Sequence, residues 1–378
     1  MAKENKFKLL VTGGGTAGHI YPVAAVVAEA QVLASKEGMP IEVRYIGSYG
    51  AYKSFLEQND IDVRGVVNSK LRRYFSLYNL IDVPKFIFSL FQAILGVMAF
   101  KPNVLFSKGG PGSFPVVLAA NLLKVPIVIH ESDAAPSLNT KMASKYAELI
   151  ALAFENAKNY FEGKEVLVTG NPIRKYLLSD PISSKQAKGY FGFDPNEPLV
   201  LVLGGSQGAT RINDLILEGL TELLDVTQIF HQTGISKYED VLERVGELSS
   251  GGDWRFRERY KAIDYFQKDI RIALQAADIV ISRSGSGVFE IAAFSKPSIL
   301  IPLSTSANDH QKVNAEVFVS AHAAIMMEET NLSKRSLINT VTELLNDPDR
   351  LLEVGLAANS LHIPDAASNL AQILLKYK

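Results

Sequence analysis

The sequence predicts an α/β protein of two nucleotide-binding-type domains, each a parallel sheet covered by helices. Two glycine-rich loops, Gly13-Gly14-Gly15-Thr16-Ala17-Gly18-His19 and Gly204-Gly205-Ser206-Gln207-Gly208-Ala209, lie about 190 residues apart. Each follows a short apolar run, Leu9-Leu10-Val11 or Leu199-Val200-Leu201-Val202-Leu203, and leads into a stretch that reads as helix. A strand, a tight glycine turn and a helix N-terminus make an anion site from bare N–H groups and the helix dipole. Strand and helix patterns also alternate through both halves, which argues for parallel sheets. The 378 residues, 47% hydrophobic and 21% charged, give each domain enough chain for its own core.

In order, strands are expected at 7–12, 41–47, 62–67, 103–107, 125–130 and 148–152, with helices at 19–36, 50–59, 80–100, 113–123 and 138–146. The second half gives strands at 199–204, 226–232, 257–263, 278–282, 298–302 and 323–327. Its helices fall at 207–224, 235–247, 268–277, 286–295, 308–320, 333–346 and 348–360. The turn chemistry of Thr169-Gly170-Asn171-Pro172 marks the junction. The expected domains are therefore 1–168 and 169–360. After the break at His362-Ile363-Pro364, the 361–378 tail carries a last helix, Ala366 to Tyr377, expected to return onto the first domain.

A net charge of −1 provides no global field toward nucleic acid. The absence of cysteine excludes a disulfide framework, a thiolate zinc site and a cysteine nucleophile. Residues 1–6 run straight into a strand with no signal-peptide apolar region.

The first loop contains Gly-x-Gly-x-x-Gly, but the second strand ends Tyr45-Ile46-Gly47-Ser48-Tyr49 without the acid that a dinucleotide ribose needs. No Gly-Lys-Ser/Thr follows either loop, so a Walker-type phosphate loop also fails. His19 is either a helix-start histidine bonded to backbone or a general base at the carboxyl end of a parallel strand. Lys108-Gly109-Gly110-Pro111-Gly112 is either a simple turn or a second phosphate cradle. Beside it, His130-Glu131-Ser132-Asp133 ends a strand in polar residues, with His130 open to a core or a ligand role. In the second half, Ser282-Arg283-Ser284-Gly285-Ser286-Gly287 opens a helix carrying Glu290. It is either an ordinary capped N-terminus or a phosphate and ribose site. Asp309, His310 and Gln311 read as a solvated helix start or as sugar ligands.

Taken in order, Gly14-Gly15-Thr16-x-Gly18-His19-x-x-Pro22, His130-Glu131 and Gly170-Asn171-Pro172-x-Arg174 resemble the MurG family of bacterial N-acetylglucosaminyltransferases. So do Gly204 to Ala209, Arg283-Ser284-Gly285 with Glu290-Ile291-Ala292, and Asp309-His310-Gln311-x-x-Asn314-Ala315. The resemblance covers residues from about 9 to 320 and implies a GT-B fold, two Rossmann-like domains facing across a cleft. It implies inverting transfer from UDP-N-acetylglucosamine to the muramoyl 4-hydroxyl of undecaprenyl-linked lipid I, giving lipid II, with no cofactor or metal required and no nucleic-acid partner. On that resemblance His19 is the base. Thr16, Ala17 and Gly18 approach the donor sugar, and Arg174 and Ser206 hold the diphosphate, with Gln207 beside them. The backbone of Phe266 and Gln267 reads uracil, Glu290 takes the ribose, and His310 and Gln311 take the sugar. Gly285, Ser286, Gly287, Val288 and Phe289 line the donor site, joined by Asp133. Gly14, Gly15, Gly109, Gly110, His130 and Glu131 form the acceptor and phosphate side. Ala17 stands where the family has glycine, Asp133 where it has asparagine, and the stretch from Arg283 to Glu290 is one residue shorter than usual.

A basic and aromatic segment, Arg72, Arg73, Phe75, Phe86 and Phe88 among it, is expected to rest on an anionic membrane surface. That makes the protein peripheral, at the cytoplasmic face. The apolar run from Phe86 to Phe100 is 15 residues, short of the ~20 needed to span a bilayer. Two alternatives share the fold class: a UDP-N-acetylglucosamine 2-epimerase and a diacylglycerol glycosyltransferase.

Overall fold

The computed structural model describes residues 6–67, 79–205, 208–266, 269–306 and 309–378, with side chains in 79–100 described from Asp82 onward. The chain divides into two compact units, 1–174 with 363–378, and 175–362.

The first unit runs β1 (Phe7–Thr12), α1 (Ala17–Lys36), β2 (Ile41–Gly47), α2 (Lys53–Gln58), β3 (Asp62–Gly65) and α3 (Asn79–Phe100). It continues with β4 (Val104–Ser107), α4 (Phe114–Leu122), β5 (Ile127–Glu131), α5 (Leu138–Ala143), β6 (Leu149–Leu152) and β7 (Val166–Val168). Its described strands are parallel in the order β3-β2-β1-β4-β5-β6-β7.

The second unit holds α6 (Ser184–Tyr190), β8 (Leu199–Leu203), α7 (Thr210–Glu218), α8 (Leu220–Val226), β9 (Gln228–Gln232), α9 (Tyr238–Leu248), α10 (Arg255–Glu258) and β10 (Tyr260–Ile263). Then come α11 (Ile270–Ala276), β11 (Ile279–Ser282), α12 (Val288–Ala293), β12 (Ser298–Leu300), α13 (His310–Ser320), β13 (Ile325–Met326), α14 (Lys334–Leu345) and α15 (Pro348–Ser360). Its sheet order is β10-β9-β8-β11-β12-β13. A final helix, α16 (Ala366–Leu375), belongs to the first unit, where Leu370, Ala371 and Leu374 join the core formed by Val23, Val27 and Ala30 of α1.

Both sheets are doubly wound, with helices over both faces, so central strands such as β4, β5 and β11 are buried along their whole length. In each sheet the strand order reverses once, between β1 and β4 in the first and between β8 and β11 in the second. Ligands bind at the carboxyl ends of strands beside such a reversal. The four glycine-rich segments at 13–18, 109–112, 204–208 and 285–287 follow those four strands.

Local differences from the sequence reading have identifiable causes. The helix expected over 207–224 breaks at Gly219, where a Cβ would lie 3.2 Å from Ile338 Cδ1. Helix α6 was not expected, yet Ser183 and Gln186 form a capping box that the sequence spells out. Residues 169–174 stay with the first unit, because Thr169 and Gly170 donate to Leu152 O (2.9 and 3.2 Å) and Gly170 O meets His130 Nε2 at 2.9 Å.

Helix α3 buries Ser89, Ala93, Val97 and Phe100 on one face, and Gly96 brings it against Ile46, whose Cδ1 would stand 2.8 Å from a Cβ there. Val83, Ile87, Phe88, Phe91, Leu95 and Met98 are each 50% exposed or more. The apolar surface thus extends beyond the expected basic and aromatic segment at 70–88, whose residues 70–78 lie outside the described residues, Arg72, Arg73 and Phe75 included. Phe86 turns partly inward, its ring 6.2 Å from that of Phe114. By length and composition Asp82–Phe100 could cross a membrane and is 22% buried; Ala17–Lys36 passes the same test but is 56% buried.

Candidate active site

In the first unit, β1 delivers the chain into Gly13-Gly14-Gly15 and then α1. Thr16 is the N-cap in extended conformation, but its hydroxyl does not cap the helix. It bonds His19 Nδ1 instead, at 2.8 Å. The imidazole lies against the loop after β4: a Cβ at Gly110 would stand 2.7 Å from His19 Nε2 and 2.9 Å from Gly14 Cα. Gly14 and Gly110 therefore let two loops and a histidine close on one another. A Cβ at Gly15 would likewise stand 2.8 Å from Gly50 N. The Cβ positions of Gly14, Gly15 and Gly110 are all occupied by protein, which explains why each is glycine. Gly109, at φ +77°, meets only Thr140 Oγ1, at 3.4 Å.

The loop at 47–50 supports this arrangement, and sequence reasoning gave it no role. The buried Tyr45 hydroxyl reaches both Gly13 O (2.8 Å) and Ser48 O (2.6 Å), its single proton serving the two carbonyls. Burial pushes that phenol far above its ordinary range, against the Gly13 hydrogen bond. A tyrosine late in β2 was the available signal.

His130 and Glu131 are corrected from ligands to framework. His130 is buried and bonded to Gly170 O; burial, then the nearby Lys108 charge, hold its pKa well below the usual value. Glu131 is buried too, and its carboxylate accepts from Asp133 N (3.0 Å) and Ser137 N (3.2 Å), folding the 132–137 loop around itself. Burial and then the Asp133 charge raise its pKa, opposed by Lys108. Lys108, also unassigned from sequence, is buried, and burial lowers its pKa against the pull of Glu131 and Asp133. Asp133 itself is half-buried. Arg174, placed by sequence in the second domain, belongs to the first unit, with its guanidinium 3.9 Å from the Tyr21 ring centroid.

In the second unit, the glycines behave differently. Gly205 (φ +79°), Gly285 and Gly287 would carry a Cβ with no described atom within 4 Å, so their backbones face open space. Gly208 is the packed member of its loop, its Cβ position 2.5 Å from Thr233 O. Ser206 and Gln207, between them, lie outside the described residues, as does Gln267. Beneath this loop runs a buried relay. Asn213 Nδ2 donates to Thr233 O (2.9 Å), which leaves Oδ1 to accept from His231 Nε2 (3.1 Å), so His231 Nδ1 accepts from Tyr260 (3.0 Å). Desolvation pushes His231 down to about 3, so it stays neutral.

The loops after β11 and β12 are clamped together. Arg283 donates to Ile301 O (2.9 Å) and pairs with Glu329 (2.5 Å), which also accepts from Ser304 N and Oγ (3.0 and 2.7 Å). Burial would raise Glu329, but the two Ser304 bonds and Arg283 hold it below the usual carboxylate value. Glu329 lies 46 residues from Arg283, so nothing in the sequence marked it. Ser284 donates to Gln311 O (2.7 Å), and Gln311 Oε1 accepts from Leu303 N (3.0 Å), so among the described residues the amide Nε2 is the group of this side chain without a partner.

Glu290, in the first turn of α12, and His310, first residue of α13, are half-buried. Ser286 is half-buried as well, but Val288 and Phe289 are core, with Phe289 6.2 Å from the Phe318 ring. Their expected donor contacts are thus limited to backbone. The Phe266 ring sits in the core 4.9 Å from Phe230 and its N–H donates to Gln232 Oε1 (3.1 Å), so of its backbone groups the carbonyl is the one left for the expected uracil contact. Two further acids have structural partners: Asp62 bonds Arg44 (2.7 Å) and Arg64 (3.3 Å), and Asp347 caps α15 through Arg350 N (3.0 Å).

Residues 9–152 match the glycosyltransferase family 28 N-terminal domain, and residues 199–370 its C-terminal domain. The UDP-N-acetylglucosamine--N-acetylmuramyl-(pentapeptide) pyrophosphoryl-undecaprenol N-acetylglucosamine transferase of Clostridium botulinum is 33% identical over 373 residues, 98% of this chain and 99% of its own length. Among solved structures, Acinetobacter baumannii MurG aligns with a TM-score of 0.72 at 22% identity, over 98% of this chain and 99% of that one. A UDP-GlcNAc 2-epimerase from Neisseria meningitidis reaches 0.69 at 18% identity, over 98% and 100%. The two structural scores establish the GT-B fold and do not separate transferase from epimerase; the full-length sequence identity does. The chain therefore belongs to the MurG family of N-acetylglucosamine transferases.

Proposed function

We propose that this chain transfers N-acetylglucosamine from UDP-N-acetylglucosamine to the muramoyl 4-hydroxyl of lipid I, with inversion, giving lipid II and UDP. The observation that carries the chemistry is His19, presented by the first turn of α1 and oriented by the Thr16 hydroxyl. In the working tautomer Nδ1–H donates to Thr16 and Nε2 takes the proton from the acceptor O4. O4 then attacks the anomeric carbon, the bond from that carbon to the β-phosphate oxygen breaks, and the electron pair leaves with UDP. An α-linked donor thereby yields a β-1,4 linkage.

The second unit is assigned the donor. The open backbone at Gly205 is assigned to the diphosphate beside the N-terminus of α7, a helix long enough for its dipole to favour the developing charge, and Ser206 and Gln207 keep the diphosphate role the resemblance gives them. Glu290 takes the ribose hydroxyls, Gly285, Ser286 and Gly287 line the nucleotide, and the Phe266 carbonyl with Gln267 reads the base. His310 and the Gln311 amide hydrogen-bond the sugar. Thr16, Ala17, Gly18, Asp133 and Arg174 are assigned to the donor, and Gly14, Gly15, Gly109 and Gly110 to the acceptor and phosphate side.

The protein is assigned to the cytoplasmic membrane face as a peripheral enzyme. The exposed stripe Val83-Ile87-Phe91-Leu95-Met98 supports this, while the packed face of α3 ties the helix to its sheet, so it lies on the bilayer rather than across it. The deciding test incubates the purified chain with UDP-N-acetylglucosamine and a lipid I analogue, scoring UDP and disaccharide. UDP-N-acetylmannosamine formed without acceptor, or product on diacylglycerol, would overturn the assignment.

A further inference from the structure

The first turns of α1 carry a second device besides His19. The Tyr21 ring, two residues on, underlies the Arg174 guanidinium, whose central carbon is 3.9 Å from the ring centroid. Arg174 is only 6% exposed, so the stack is largely desolvated, where a cation–π contact is strongest. The ring is itself fixed: Tyr52 meets it edge-on at 5.6 Å and 81°, and Phe55 at 5.1 Å and 76°. Tyr52, at the N-cap of α2, and Phe55 within it thus hold the Tyr21 ring on which the guanidinium rests.

A stacked guanidinium spends its face on the ring and presents its N–H groups edgewise, the geometry that matches phosphate oxygens. We propose that Tyr21 is a positioning residue for the donor diphosphate, acting through Arg174. This rests on the assignment of Arg174 to the donor. It makes the N-terminal segment of α1 bifunctional: His19 serves the attacking oxygen and Tyr21 serves the leaving group. A single segment then sets the spacing between the base and the diphosphate clamp.

The test measures UDP binding by calorimetry on the full chain, for wild type, Tyr21→Phe, Tyr21→Met and Arg174→Ala, with transfer kinetics alongside. Tyr21→Phe keeps the π face and should bind UDP within about twofold of wild type. Tyr21→Met keeps apolar bulk without the ring and should bind about tenfold more weakly, with donor KM rising in parallel and kcat within about threefold. Arg174→Ala should lose at least as much. If Tyr21→Met binds UDP like wild type while Arg174→Ala weakens it, the positioning role is wrong. If Arg174→Ala itself binds UDP normally, the donor assignment of Arg174 fails first. A Tyr21→Met chain that loses kcat with unchanged UDP affinity also overturns the proposal, because the ring then serves α1 rather than the diphosphate.

Discussion

Replacing Gly110 by alanine should damage catalysis far more than replacing its neighbour Gly109, although both have left-handed backbones (φ +85° and +77°). An L-residue in that region costs about 1–2 kcal/mol, and both variants carry this strain. The added methyl separates them. At Gly109 its nearest neighbour is Thr140 Oγ1 at 3.4 Å. At Gly110 it would stand 2.7 Å from His19 Nε2 and 2.9 Å from both the Cα and N of Gly14. Two of those three atoms are backbone, so turning the imidazole aside does not relieve the clash and the glycine loop must move. Overfilling a packed site adds about 1–3 kcal/mol, so Gly110→Ala should be destabilised by about 2–5 kcal/mol and Gly109→Ala by about 1–2. A misplacement of about 1 Å at a reacting group can cost about a hundredfold in rate. Gly110→Ala should therefore lose at least about tenfold in kcat, while Gly109→Ala stays within about threefold. Urea unfolding and steady-state transfer on the two variants provide the comparison. Equal stabilities and equal turnover would refute the claim that Gly110 is glycine because His19 and Gly14 occupy the space beside it.

His231 predicts an acid sensitivity in the second unit. Its folded pKa of about 3 lies below the ordinary histidine value, so its contribution is complete above about pH 6.5 and is lost as pH falls toward 3. Between pH 7 and 5 wild type should lose about 2 kcal/mol more than His231→Gln, read by denaturation of Trp254, the chain's single tryptophan and a second-unit residue. An equal loss in both proteins would show that His231 does not remain neutral there. On the membrane side, Ile87→Ser/Phe91→Ser/Leu95→Ser should abolish most sedimentation with anionic vesicles and leave UDP affinity intact, because these exposed side chains support no core. Undiminished sedimentation would move the lipid contact elsewhere.

Much of the fold was legible because a buried parallel strand announces itself as an uninterrupted apolar run. Leu199–Leu203 and Ile279–Ile281 could be nothing else, and the glycine loops after them marked the switch points before any sheet order was available. The placement of His19 was legible for the same reason: it follows a strand and a glycine turn. What remained hidden was long-range. No sequence pattern says that Gly110 closes on Gly14, that Tyr45 reaches back to Gly13, or that Glu329 pairs with Arg283. Glu131 was misread because a polar strand end looks the same whether its carboxylate faces a ligand or is wrapped by its own loop. The run 285–290 was expected to face the donor throughout, whereas a helix must turn some of its residues inward, and Val288 and Phe289 are those residues. Arg174 illustrates a subtler limit, since the junction was placed at turn chemistry while Thr169 and Gly170 both still donate to Leu152 O of β6.

The central claim is that His19 removes the acceptor proton in a transfer from UDP-N-acetylglucosamine to lipid I. Its most direct test is the turnover of His19→Ala with UDP-N-acetylglucosamine and a lipid I analogue, measured beside its affinity for UDP. General-base catalysis contributes about 10²–10⁴-fold, so kcat should fall by at least about a hundredfold while UDP binds as it does to wild type. Disaccharide formed at close to the wild-type rate would contradict the account.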